Sequence, residues 1–135
     1  MDTLHELAMT LSAESVTVGD VVDRLGGQAT DMTGNVIVEK PALSGVDRAS
    51  VVRNLSGEAP AHVTLELARP LADDDLEAAF GPPKRVEPDH RGEPASLVFR
   101  LDLADRPYDV TLIALAQDGG ARTVTLRRDV RLGAS

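Results

Sequence analysis

The sequence predicts an α+β fold in which an N-terminal helix precedes two tandem helix-βββ repeats. Their strands are expected to form one antiparallel sheet of about six strands with the helices on one face. Three observations carry this expectation. The hydrophobic period is helical in some segments and alternating in others. The order of one helix and then three strands occurs twice. And VTLELARPL, Val63 to Leu71, returns 61 positions later as VTLRRDVRL, Val124 to Leu132.

Thr3 and Glu6 form a capping-box pair, and Leu4, Leu7, Ala8 and Leu11 share a stripe, which predicts a helix over about residues 3 to 13. Thr17 caps a second helix, whose first turn favours the acid Asp20; Val18, Val21, Val22 and Leu25 form its stripe and Gly26 stops it. From Asn35 the period alternates. NVIVEK, RASVVRNL and AHVTLELAR read as strands, separated by the turn-rich PALSGVD and SGEAP. Asp73 is the capping candidate of a third helix, in which Leu76, Ala79 and Phe80 share a side before Gly81, Pro82 and Pro83 prevent continuation. A polar loop over residues 82 to 95 leads to SLVFRLDL, which puts Leu97, Phe99, Leu101 and Leu103 on one face. YDVTLIALA and RTVTLRRDV complete the set across ADRP and QDGG.

The two halves align residue by residue. Asp20 with Asp75, Val21 with Leu76, Leu25 with Phe80 and Gly26 with Gly81 share an offset of 55, whereas the third strands share 61. The longer loop KRVEPDHRGEPA in the second half absorbs the difference, because insertions collect in loops. The chain therefore reads as a single domain over residues 1–135, with an internal duplication at about 16–70 and 71–132. Leu25 and Phe80 are expected to be buried alike. A chain of 135 residues can bury roughly two-thirds of its unfolded surface.

With 22 acids against 14 bases the net charge is −8, which repels a phosphate backbone and argues against nucleic acid as partner. An acidic surface also keeps a protein in solution. The lack of cysteine excludes a disulfide framework, a thiolate metal site and a cysteine nucleophile. MDTLHELAMTL carries acids where a secretory signal needs positive charge, and no run approaches a membrane span. The expectation is a cytoplasmic protein without a membrane partner.

His5, His62 and His90 show no metal-ligand spacing. Asp73, Asp74 and Asp75 suit the first turn of a helix better than a cation site. The Gly-Gly pairs at 26–27 and 119–120 lack the spacing of a phosphate loop, and no G-x-S-x-G elbow is present. Neither an enzyme, a cofactor nor a metal is expected.

The second face of the sheet is the informative surface. If Val63, Leu65 and Leu67 pack on the helices, alternation sends His62, Thr64 and Glu66 the other way, together with Val98, Arg100, Thr125 and Arg127. His62, Thr64, Glu66, Arg100, Thr125 and Arg127 are thus the candidate contacts for another protein; an ordinary solvated sheet face is the other reading. Residues 1 to 66 hold 10 acids and 4 bases, and residues 67 to 135 hold 12 and 10, so the second half is nearer neutrality. The last strand is locally basic, with Arg122, Arg127, Arg128 and Arg131, which reads as charge protection of a sheet edge. The expected function is non-enzymatic protein binding, of an inhibitor, immunity or adaptor kind. The alternative is a small-ligand-binding protein or enzyme with a pocket between helices and sheet.

LADDDLEAAFGPPKRV resembles the repeat unit of the BamE/SmpA and β-lactamase-inhibitor-protein fold, and VTVGDVVDRLGG is a second match that lacks the proline. The resemblance covers residues 16 to about 132 as a pattern. It implies a tandem duplication whose strands form one curved sheet that grips a partner protein, with no catalytic site. The inhibitors of that fold are secreted and use cysteines and sheet-face aromatics, and its outer-membrane members need a lipidated cysteine. This chain has no cysteine, and Phe80, Phe99 and Tyr108 are its aromatics. The resemblance therefore speaks for the fold and leaves the partner open.

Overall fold

A computed structural model describes residues 2–13, 16–32, 35–42, 45–53, 59–87, 95–101, 108–116 and 120–130. The helices are α1 (Asp2–Leu11), α2 (Val18–Leu25) and α3 (Asp73–Phe80). The strands are β1 (Gln28–Met32), β2 (Asn35–Glu39), β3 (Val46–Arg53), β4 (Pro60–Leu71), β5 (Lys84–Val86), β6 (Ala95–Leu101), β7 (Tyr108–Ala116) and β8 (Ala121–Val130).

Local chemistry fixes the helix ends. The Thr17 hydroxyl accepts from the Asp20 N–H at 3.1 Å, and the Asp20 carboxylate accepts from the Thr17 N–H at 3.0 Å, closing a capping box on α2. Gly26 stops that helix at φ 68°, with its N–H donating to the Val22 carbonyl. Gly81 repeats the device at φ 89°, donating to the Glu77 carbonyl. Asp73 is not the cap of α3. Ala72 occupies that position without a side-chain bond, and Asp73, Asp74 and Asp75 all lie in the first turn, where the helix dipole favours them.

All strands join one antiparallel sheet in the order β1-β2-β3-β4-β8-β7-β6-β5. This corrects the expected six-stranded sheet with helices on one face: among the described residues there are eight strands, and strand makes up 57% of those residues against 25% helix. The two additional strands, β1 and β5, are the sheet edges. Gln28 to Asp31 and Lys84 to Val86 are exposed throughout. With these residues exposed, the two strands carry no hydrophobic alternation to read. The short helices reach only part of the sheet, α1 touching β7 and β8, α2 touching β2 and β3, and α3 touching β6. Part of the expected 82–95 loop is β5; residues 88–94 lie outside the described residues.

The inner face of the sheet is built in transverse rows. Val38, Ala49, Leu65, Val124, Ala114 and Leu97 stand opposite one another across six strands, and beside them run Val36, Val51, Val63, Leu126, Leu112 and Phe99. Every one is buried, in one cluster with Leu4, Leu7, Ala8 and Leu11 of α1, Val18, Val21 and Leu25 of α2, and Leu76 of α3. Burial of this apolar surface is the main force holding the layers together. Phe80 departs from expectation. Leu25 is fully buried, but Phe80 is only partly buried, its ring meeting Phe99 edge-on at 6.2 Å. Leu103 and His90 lie outside the described residues.

The last strand is not an edge. β8 pairs with β4 on one side and β7 on the other, so its charges cannot serve as edge protection. Arg128 instead donates from Nε to the Leu11 carbonyl and from Nη2 to the Ala13 carbonyl, each at 2.8 Å, satisfying acceptors left free at the end of α1.

Candidate outer-face binding surface

The β4–β8 ladder sets the centre of the opposite, outer face. Thr64 stands directly across from Thr125, and their hydroxyls are hydrogen-bonded at 3.1 Å. One step along the strands, His62 faces Arg127; on the other side of Thr64, Glu66 lies between Arg48 and Thr123. Thr111 faces Arg127 across β7, and Arg100 faces Thr111 across β6. Pairing and alternation thus bring His62, Thr64, Glu66, Arg100, Thr125 and Arg127 onto one face. His62, Arg127 and Arg100 fall in one transverse row, Thr64 and Thr125 in the next, and Glu66 in a third.

The middle row crosses all eight strands: Thr30, Ile37, Ser50, Thr64, Thr125, Ile113, Val98 and Lys84. At the usual strand spacing this is a line of roughly 34 Å. Its six inner members are all half-buried. Ile37, Ser50 and Ile113 were missing from the sequence-based set. In β7 the run Leu112-Ile113-Ala114-Leu115 is apolar on both faces, so the period-2 signal that sorts inward from outward positions vanishes there. Register supplies what periodicity cannot.

His62 is the electrically unusual member. Burial, and then the positive charge of Arg127 opposite, push its pKa below the ordinary histidine value. Its Nδ1 is enclosed and has no hydrogen-bond partner among the described residues. A lowered folded-state pKa means that the unfolded chain binds the proton more readily. Stability is therefore expected to be flat above the unfolded value, about 6.5, and to fall as pH drops from there toward the folded value. Urea midpoints for the parent and His62→Gln between pH 7.5 and 5.5 check this. The parent should lose more than the variant, and parallel curves would refute the assignment.

Some ion pairs lie on the surface. Glu39 meets Arg48 at 3.1 Å, Asp31 meets Arg53 at 2.8 Å, and Arg85 meets Glu87 at 2.6 Å. Exposed pairs of this kind contribute about 0 to 1 kcal/mol each. Ile37, Arg48, Ser50, Thr64 and Glu66 border a shallow depression of about 160 Å³ on the outer face, small beside the roughly 300 to 1,000 Å³ of a ligand pocket. A larger open cleft of about 490 Å³ runs between α1 and α2, lined by His5, Glu6, Met9, Thr10, Asp20 and Arg24 among others. Its lining comes from the helices and the segment joining them, so it is not the expected pocket between helices and sheet. Among the described residues no three His, Asp or Glu side chains converge as a metal site would require. Nor is any helix among them long and apolar enough to cross a membrane.

Comparison with known proteins finds no matching family model, no matching curated protein and no matching solved structure. Function therefore has to be argued from the surface itself.

Proposed function

We propose that this chain is a non-enzymatic protein-binding module, of an inhibitor-, immunity- or adaptor-like kind, whose working surface is the outer face of the sheet. The observation that carries the proposal is the middle row. Ile37, Thr64, Thr125, Ile113 and Val98 place branched side chains across the centre of a face lined by charged and polar residues. Isoleucine and valine there also stabilise the ladders by cross-strand packing, but an apolar centre with a polar rim is the anatomy of a docking surface. The Thr64–Thr125 bond ties the halves together there, so both present one platform.

The same reading treats the halves as copies of one helix-plus-meander unit acting in the cytoplasm, in line with the resemblance to the BamE/SmpA and β-lactamase-inhibitor-protein fold. Two features support common descent. Both α2 and α3 have eight residues and end on a positive-φ glycine. Each half also ends in a strand carrying Val-Thr-Leu, and those two strands pair at the centre of the sheet.

Affinity capture from the native host provides the test. Thr64→Arg and Arg127→Glu should abolish capture of the parent's partner while leaving the fold intact, because an oversized or reversed charge at the centre blocks docking. Glu77→Lys on exposed α3 should retain it. If both outer-face variants keep full capture and Glu77→Lys loses it, the working surface lies elsewhere.

A further inference from the structure

The six interior strands have a neighbour on both sides, but β1 and β5 each leave one edge unpaired among the described residues. An unpaired edge invites another strand, and proteins blunt such edges with brevity, proline and charge. β5 carries all three devices: it has only three residues, follows Pro82 and Pro83, and contains Lys84 and Arg85. β1 is less protected. It has five residues without proline or base, and its one charge, Asp31, is held within the chain by Arg53 at 2.8 Å. Gln28 to Asp31 are exposed, so the described residues leave this edge open.

The two edges also differ in whether they can pair with themselves. When two copies join edge to edge about a two-fold axis, residues of the same face oppose one another, so the axis passes between a residue and its own counterpart. Centred on Thr30, β1 pairs all five of its residues: Thr30 opposes Thr30, Ala29 opposes Asp31, and Gln28 opposes Met32. Centred on Ala29 or Asp31 it pairs only three, and the latter sets Asp31 against Asp31. β5 centred on Arg85 sets Arg85 against Arg85, and centred on Lys84 or Val86 it keeps one strand residue in the ladder. Like charges directly opposite destabilise a ladder, whereas Thr–Thr pairs support it.

We infer that β1 is a dimerisation edge, at which a second copy of this chain adds its own β1 antiparallel, with Thr30 facing Thr30. The molecule already makes that contact once. Thr64 and Thr125 face each other on antiparallel strands with their hydroxyls hydrogen-bonded at 3.1 Å, and Thr30 stands in the same transverse row through Ile37 and Ser50. A two-fold axis normal to the sheet keeps both outer faces on one side, so the pair presents one doubled face. Five paired residues bury less than the roughly 800 Å² per partner of a stable complex, so the dimer is weak and forms as concentration rises. Each copy carries a net charge of −8, and salt screens their repulsion, so the dimer tightens as ionic strength increases. A β1-to-β5 contact would instead leave an edge open at each end and grow into filaments.

Sedimentation of the full chain at rising concentration should show monomer passing to dimer and no further. Thr30→Lys and Thr30→Asp should each weaken the dimer about tenfold or more, because each sets a charge against its own copy, and an equimolar mixture of the two should restore it. The lack of native cysteine gives a second readout. Directly opposed Cα atoms lie about 4.5 to 5.5 Å apart, within disulfide reach, so Thr30→Cys should cross-link between copies on mild oxidation several times faster than Asp31→Cys or Arg85→Cys. A chain that stays monomeric or grows into filaments, charged variants that dimerise as the parent does, a mixture that fails to recover, or equal cross-linking at the three positions would overturn the inference. It stands apart from the docking reading: Thr64→Arg should leave dimerisation unchanged, and loss of the dimer in that variant would overturn the β1 edge in favour of the outer face.

Discussion

Phe99→Ala is expected to lower the free energy of unfolding by about 3 to 5 kcal/mol, a large share of the roughly 5 to 15 kcal/mol available to a domain. Phe99 is 1% exposed and heads the largest fully buried side chains. It sits on β6 opposite Leu112 of β7 and meets the edge of Phe80. Removing its ring takes away apolar burial and leaves a cavity that β-strands, pinned by ladders on either side, cannot collapse to fill. Phe80→Ala, at a partly buried site, should cost less, about 1 to 2 kcal/mol, since part of that side chain already meets solvent. Urea unfolding of the two variants side by side is the measurement. A Phe99 variant that loses no more than the Phe80 variant would contradict this account of the core.

Arg128→Met should cost about 2 to 4 kcal/mol and act mainly on α1. Methionine keeps the length of the side chain but donates nothing, so the Leu11 and Ala13 carbonyls lose two charge-assisted bonds at once. Arg128→Lys should recover less than half of the loss, because one ammonium group does not reproduce the fork that spans both acceptors. Amide hydrogen exchange distinguishes this from general damage. Protection in Asp2–Leu11 should fall well before protection in β7 and β8, and uniform loss across helix and sheet would refute the latch.

Local chemistry was legible in the sequence; pairing between distant segments was not. The capping box of α2 lies within three residues, so Thr17 and Asp20 announce it, and Leu4, Leu7, Ala8 and Leu11 mark the buried side of α1. Alternation in β4 and β6 sorted His62, Thr64, Glu66 and Arg100 onto the outer side. It failed at β7, where both faces are apolar, and at β1 and β5, where neither is. Nothing within Ala121–Val130 reveals that this strand lies at the centre of the sheet. The contrast between Arg127, facing outward beside His62, and Arg128, turned toward α1, depends on partners more than 60 positions away. Phe80 was placed too deep because its counterpart Leu25 packs where α2 meets β2 and β3, whereas the main sheet contact of α3 among the described residues is with β6.

The strand order also sets an order of events in time. Of the seven ladders among the described residues, β4–β8 alone joins strands that are not consecutive; it brings together Thr64 and Thr125, 61 residues apart. Each meander closes from its own short loops, and short loops close first because closure entropy grows with the length of chain enclosed. The central seam must wait for both, and non-local pairing of this kind slows folding relative to local contacts. Longer still is the span from Arg128 back to Leu11 and Ala13, at 117 and 115 residues. By contact length alone, the latching of α1 through Arg128 is expected to follow the β4–β8 seam, although α1 also packs on its sequence neighbour α2.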